Sequence, residues 1–447
     1  MTIELTRLNP LQFRAVIVER QRDGFSAGDI DPATSDRLEQ LFHRPIGARD
    51  AVRDIIADIR TGGDAALREW TYRIDGVDVE TSRVDPAEME AAWDNLEQPV
   101  RNALTAAAQR LREFHVLQVD VLDRGAGGAW LHPEPLGRVG CYVPGGRAAY
   151  PSTVLMSVIP AQVAGVARIV IASPPAPSGS VHPLVAAAAH LLGIREVVAA
   201  GGAQAIAALA FGTESIERVD KIVGPGNAFV TLAKHEVFGA VGIDQLAGPS
   251  EIVVIATAGA DPSMVAADLV SQLEHDPLAW AICLTDDADL AESIAANFVE
   301  VAGDAARRDI IGMAAGRHAA MVLCATPDEM RTLAAAFAPE HLSLQGTVAE
   351  ALRAEVRNAG AVFVGSMSPV SIGDYVAGPN HTLPTQGAAR YRGPLAVMDF
   401  IRWPSFVHLT DAEFDALAPV AIRLAEAEGL LAHEGAIRAR MRVRQTS

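Results

Sequence analysis

An acid and a base stand side by side in APEHLSL: Glu340 and His341, just after Pro339 and between two apolar runs. A carboxylate beside an imidazole is a pair suited to proton transfer. The helix before them begins at TPDEM, with Thr326 as cap and Pro327 at its first helical position. Pro339 disfavours helix at Ala338, and HLSL then resumes as a strand. Both side chains fall at a helix-to-strand junction and can turn into one cleft, whereas in a regular strand they would point to opposite faces. On spacing alone, a cap with a surface ion pair is the competing reading.

A second set of residues suits a metal. In SQLEHDP the preceding helix starts at DPSM, with Asp261 as cap and Pro262 first. At roughly 100° per residue, Val265, Leu269 and Leu273 share a stripe, with Gln272 and His275 side by side along its edge and Glu274 nearly opposite. Such a Q-x-x-H pair offers one oxygen and one imidazole nitrogen to a metal; alone, it is more often a satisfied, partly buried histidine. SIGDYVAGPNHTLPT places Asp374 and His381 in a Gly/Pro-rich loop with no packing need for either, and EAEGLLAHEG places Glu428 and His433 around Gly429. Together these form a mixed nitrogen and oxygen set, suited to zinc or a similar divalent ion with positions left for substrate.

Three strand ends are glycine-rich: YVPGG (142–146), AGGAQA (200–205) and VGPGN (223–227). Glycine lets backbone approach a phosphate closely, and open α/β sheets bind ligands at the carboxyl ends of their strands. None fits G-x-G-x-x-G, and any one of them alone reads equally well as an ordinary turn.

The elements that must position these residues alternate. Residues 1 to about 130 read mostly helical, with Asp85 and Pro86 opening one helix. From 139, short β-branched runs (ARIVIAS, EVVAAGG, DKIVGPG, SEIVVIAT, AWAICLTDD, AAMVLCAT, AVFVGS) alternate with alanine-rich helical stretches. Continuous apolar strands of this kind belong to buried parallel sheets, and two consecutive arrays imply an α/β class. The last fifty residues are helical again, broken at Gly429, and too few to fold alone.

A chain of 447 residues exceeds one simple core. Its 37 basic against 55 acidic residues give a net charge of −18, which repels phosphate backbones and argues against a nucleic-acid partner. Arg438, Arg440, Arg442 and Arg444 form the one basic cluster, read as a solvated or ion-pairing tail. Three scattered cysteines, Cys141, Cys283 and Cys324, argue for a reducing compartment. No basic-then-apolar leader opens the chain, and no stretch suits a membrane span. A cytoplasmic protein is expected.

CYVPGG, GGAQAIAALAFGT, VGPGN, AGPSE, SQLEHDP, APEHLSL, GDYVAGPNHTLPT and EGLLAHEGAIR, in that order, resemble the histidinol dehydrogenase family over about residues 45 to 440. The resemblance implies a two-step oxidation of L-histidinol to L-histidine with NAD as cofactor. It implies zinc held by Gln272, His275, Asp374 and His433, and substrate contacts from Ser250, His341, Asp374, His381 and Glu428. It matches Tyr142, Gln204 and Asn227 to the nucleotide loops, and implies a homodimer whose C-terminal segment reaches the partner's site. Glu340 and His341 are the implied catalytic residues. One departure is Asp276, where the family often has Gly.

The expected fold is α/β: two Rossmann-like parallel-sheet domains with small helical N- and C-terminal segments. The expected boundaries are 1–30 for the N-terminal segment, 31–138 with 251–393 for the catalytic domain, 139–250 for the NAD domain, and 394–447 for the C-terminal segment. Two rival classes stand beside this reading. A zinc hydrolase using Glu340 leaves the glycine loops without a role. A non-catalytic binding protein leaves the intact Glu340–His341 pair without one. A cysteine mechanism would need Cys141, which has no histidine near it in sequence to activate it.

Overall fold

The computed structural model describes residues 3–23, 32–79, 81–119, 125–126, 129–145 and 149–445. They divide into two compact units, Met1–Val119 with Leu136–Phe400, and Asp120–Pro135 with Ile401–Ser447.

The first unit holds two all-parallel sheets. One has six strands in the order Thr6–Leu8, Ala319–Leu323, Trp280–Thr285, Glu251–Ala256, His341–Gln345 and Ala361–Val364. The strand Glu251–Ala256 is buried along its whole length, which is why its sequence is a continuous apolar run rather than an alternating one. Ile252 and Val254 pack with Val265, Leu269 and Phe298 on one face. Val253 and Ile255 pack with Phe13, Ile17, Leu333 and Phe337 on the other. The register sets Ile252 opposite His341, and therefore Glu251 level with Glu340.

The second sheet has five strands, ordered Glu196–Ala199, Arg168–Ser173, Arg138–Tyr142, Lys221–Val223 and Gly242–Ile243. The parallel α/β class follows for both sheets, as expected. The helices of residues 31–138 pack on this five-stranded sheet, not on the six-stranded one. Ile55, Ile59 and Trp70 of the helix Ala48–Asp75 join Ile206, Leu209 and Ile222. Met89, Leu104 and Leu111 join Val154, Ile171 and Val185. Burial of these apolar faces decides the grouping, which chain order did not show.

The N-terminal segment is no appendage. Its strand Thr6–Leu8 pairs with Ala320–Val322, and its helix Pro10–Asp23 stacks Phe13 on Phe337 at 5.9 Å. The C-terminal unit is not wholly helical. Ala129–Leu131 pairs antiparallel with Ser405–Val407 and with Gly125–Ala126, so the unit recruits part of the 120–135 region. Its helices Asp411–Ala427 and Leu431–Gln445 are separated at Gly429, whose φ is 73°. Thr410 and Glu413 close a capping box on the first. Arg438 pairs with Glu434 and Glu426, as expected of an ion-pairing tail; the side chain of Arg444 lies outside the described residues. No helix among the described residues is long and apolar enough to cross a membrane.

A buried ion pair fixes the turn after Lys221–Val223. Lys234 donates to the Gly224 carbonyl at 3.0 Å and to the Asp244 carboxylate, which accepts the Gly224 N–H at 2.7 Å. Gly224 has φ 114°, and a Cβ there would lie 2.1 Å from the Tyr142 carbonyl oxygen, so only glycine fits. Lys234→Met should cost about 3–5 kcal/mol, because Asp244 is left buried and unpaired. Chemical denaturation of K234M and of K234M/D244N checks this: the double variant should recover part of the loss, and a K234M midpoint equal to the parent's would refute it.

Candidate active site

Glu251, Glu340 and His341 meet at the amino ends of two paired strands. Because the register sets Glu251 level with Glu340, each can reach the other's backbone. The Glu251 N–H donates to Glu340 Oε2 at 2.8 Å, and the Glu340 N–H donates to Glu251 Oε2 at 3.3 Å. Ala338 turns the chain here in the left-handed conformation, φ 55°, so both side chains of the adjacent pair enter one cleft. His341 Nδ1 and Glu340 Oε2 are 3.5 Å apart.

His341 Nδ1 also lies 2.9 Å from the Glu251 carbonyl oxygen. A carbonyl only accepts, so Nδ1 carries the proton and Nε2 presents its lone pair. That Nε2 is buried without a hydrogen-bond partner among the described residues, 3.9 Å from Asp374 Oδ1. Burial pulls the His341 pKa down to about 4, against the opposing bond to Glu251. The ring is therefore neutral at pH 7, a base with its lone pair unspent.

Burial holds the Glu340 pKa well above the usual carboxylate range, and the charges of Glu251 and Asp374 add to it. The Glu251 N–H and the Ser250 side chain oppose this by hydrogen bonding to Glu340. Asp374, in the short helix Val370–Tyr375, is raised to about 6 by burial. His381 donates through Nδ1 to the Asp374 carbonyl at 2.8 Å, and burial lowers its pKa to about 4. The charge of His275 further disfavours protonation of His341 and His381, so the three imidazoles share one neighbourhood.

The Gln272–His275 pairing is not the helical one expected. The helix Pro262–Leu273 ends before His275, which lies on the following turn and bonds through its N–H to the Gln272 carbonyl at 3.4 Å. Asp276 steadies that turn, its Oδ1 accepting the Leu278 N–H at 2.9 Å. Gln272 is buried, with Nε2 unpartnered among the described residues. Glu428 caps the helix Asp411–Ala427 and His433 lies on the helix Leu431–Gln445; both are exposed members of the second unit. Among the described residues no three His, Cys, Asp or Glu side chains are gathered as a metal cluster. Of the four residues expected to hold zinc, Gln272, His275 and Asp374 belong to the first unit and His433 to the second. An amide oxygen, an imidazole and a carboxylate are donor types that a divalent ion takes; the unpartnered Gln272 Nε2 is itself a hydrogen-bond donor and ligates no metal.

The glycine turns lie at the carboxyl ends of three strands of the five-stranded sheet: Arg138–Tyr142 and Lys221–Val223, which are neighbours, and Glu196–Ala199, separated from them by Arg168–Ser173. Tyr142 ends its strand, and its hydroxyl accepts the Gly202 N–H at 3.1 Å. Gln204 is fully buried; Nε2 donates to Asp75 at 3.4 Å and Oε1 is unpartnered among the described residues. Asn227 caps the helix Ala228–Val237 by accepting the Val230 N–H at 3.1 Å. Gly146 lies outside the described residues. The loop after Val370–Tyr375 is anchored at two points: Asn380 Nδ2 donates to the Met156 carbonyl at 2.7 Å, and Thr385 Oγ1 accepts the Gly248 N–H at 2.6 Å.

A profile of the family described as histidinol dehydrogenase matches residues 43–441. The chain belongs to the histidinol dehydrogenase family. It is 47% identical over 391 residues to the histidinol dehydrogenase of Parasynechococcus marenigrum, covering 87% of this chain and 90% of that protein. It is 46% identical over 397 residues to that of Methanothermobacter thermautotrophicus, covering 88% and 93%. The crystal structure of histidinol dehydrogenase from Elizabethkingia anophelis superposes with a TM-score of 0.88 at 32% identity, covering 100% of this chain and 99% of that one. As a member of the histidinol dehydrogenase family, the protein is an oxidoreductase.

Sequence reasoning missed Glu251 and Arg20. A carboxylate opening an otherwise apolar strand, EIVVIA, was the available signal for the first. Nothing in the sequence marked Arg20. The three cysteines are free and buried. Burial pushes the Cys141 thiol far up, with Asp244 adding to it, and Cys283 to about 12, so neither supplies a thiolate. Cys141→Ser should oxidise substrate at the parental rate; a loss of the chemical step in a burst assay would revive a thiol mechanism.

The raised Glu340 pKa has a thermodynamic sign. The folded protein holds this proton to higher pH than the unfolded chain, so stability is lost as pH rises from the usual carboxylate value through the folded one. Glu340→Gln lacks that loss. Its Tm should exceed the parent's by an amount that grows between pH 4 and pH 8, and a pH-independent difference would contradict the assignment.

Proposed function

We propose that the chain oxidises L-histidinol to L-histidine through histidinaldehyde, the closing oxidation of histidine biosynthesis, using NAD and one zinc ion per subunit in the cytoplasm. The observation that carries the reading is the neutral, buried His341, its Nε2 unpartnered and Glu340 beside it. Zinc would position the substrate as a Lewis acid, and NAD would supply the hydride acceptor, two molecules per turnover.

This chain's residues do the proton work. His341 Nε2 takes the alcohol proton as the first C–H bond is cleaved. Ionised Glu340 takes a proton from a water that adds to the aldehyde carbon. His341 then takes a proton from the resulting diol as the second C–H bond is cleaved, leaving the carboxylate. Gln272, His275 and Asp374 are the first-unit residues that would hold zinc, with His433 completing the set. Ser250, His381 and Glu428 would orient the substrate, and Tyr142, Gln204 and Asn227 would line the nucleotide loops. We assign Glu428 and His433 to the site of a second copy of the chain, in a homodimer. Exposed Leu417, Val420, Leu424 and Leu431 on their helices support a partner surface.

The test is the yield of NADH per L-histidinol consumed, with and without a strong chelator. The proposal expects two, lost on chelation and restored by zinc; a yield of one would remove the aldehyde step and with it the role of Glu340. Glu340→Gln should spare alcohol oxidation and slow aldehyde oxidation by about 10²–10⁴-fold. His341→Asn should damage both steps.

A further inference from the structure

Glu251 touches both members of the catalytic pair with three different groups. Its N–H donates to the Glu340 carboxylate, its carboxylate accepts the Glu340 N–H, and its carbonyl accepts the His341 Nδ1 proton. The Glu251 carboxylate is 1% exposed and far from water. Its other oxygen accepts the Gln386 N–H at 2.9 Å and the Arg20 guanidinium. Arg20 comes from the N-terminal helix, with its side chain 8% exposed. It also donates to the Phe337 carbonyl at 2.6 Å and lies 4.0 Å over the Phe337 ring. A carboxylate this dry is expensive unless paired and fully hydrogen-bonded, and nothing in the packing of an apolar strand requires it.

We infer that Glu251 is a positioning residue for the oxidation, holding Glu340 in its water-activating orientation and the His341 ring in its reactive tautomer, with Arg20 as its counter-ion. The inference rests on the roles proposed above for Glu340 and His341. The side chain governs Glu340 and the backbone carbonyl governs His341. Removing the carboxylate alone must therefore separate the two steps. The charged and titratable groups around Glu340 are Glu251, Asp374 and His341, with Ser250 as a donor.

The experiment follows alcohol and aldehyde oxidation separately in the zinc-loaded full-length enzyme. Glu251→Gln keeps the backbone and the shape. Its kcat for supplied histidinaldehyde should fall on the order of 10- to 100-fold, as for a small misplacement of a reacting group. The KM should be nearly unchanged and alcohol oxidation largely kept. The acid limb of its aldehyde-oxidation profile should move to lower pH, because a negative neighbour of Glu340 is gone. Arg20→Met should lose aldehyde kcat likewise, and Arg20→Lys should regain most of it. If a buried unpaired charge stops either single variant folding, R20M/E251Q presents a neutral pair and is measured instead. An aldehyde kcat equal to the parent's, an unmoved acid limb, or equal losses in both steps would overturn the inference. Glu340→Gln is run alongside: if it oxidises aldehyde normally, the reading of Glu340 fails, whatever Glu251 does.

Discussion

Two carboxylates that share a dry pocket repel each other, and a folded protein must supply a counter-charge or keep a proton on one of them. Here Glu251 and Glu340 are both buried and exchange backbone hydrogen bonds. Arg20 compensates Glu251, and Glu340 is left as the member that keeps its proton to higher pH. The asymmetry depends on where the N-terminal helix docks. Phe13 stacks on Phe337, which fixes the helix, and Arg20 lies over the same ring. The short N-terminal segment thus sets the charge balance of the Glu251–Glu340 pair.

The other constraint is register. Parallel pairing puts Ile252 opposite His341, and a slip of one residue would send every side chain of His341–Gln345 to the other face. Such a slip would bury Ser343 and Gln345 where Leu342 and Leu344 now pack. The apolar pattern of the strand therefore fixes the distance between Glu340 and Glu251, and core packing aligns the two carboxylates.

Much of this was legible in the sequence, for identifiable reasons. Asp261, Thr326 and Asp85 accept the backbone N–H groups expected of caps, because capping is local chemistry. Glu340 and His341 were readable because a proline and a short apolar run fix their junction. The Gln272–His275 geometry was misread, since the helix stops at Leu273 and periodicity cannot show where a helix ends within a turn. The packing of residues 31–138 on the five-stranded sheet, and the recruitment of Ala129–Leu131 by Ser405–Val407, are long-range choices among several apolar surfaces. Arg20 was invisible for the same reason: its partner lies 231 residues away.

The two sheets bring opposite ends of their helices toward the candidate site. At the carboxyl edge of the five-stranded sheet the helices Gly202–Phe211 and Ala228–Val237 begin, and helix N-termini carry partial positive charge that suits an anionic phosphate. At the amino edge of the six-stranded sheet the helices Pro262–Leu273 and Pro327–Phe337 end, and their C-termini carry partial negative charge that suits cations. Beside the second, Arg20 and Arg390 already occupy the last carbonyls, Phe337 and Ala336. Beside the first, the turn carries His275, whose protonation burial opposes. Among the described residues no arginine hydrogen-bonds the last carbonyls of that helix, although the Arg307 charge opposes protonation of His275. There the N–H groups of Glu274 and His275 meet the last carbonyls of the helix instead, at 3.2 Å from Val270 and 3.4 Å from Gln272.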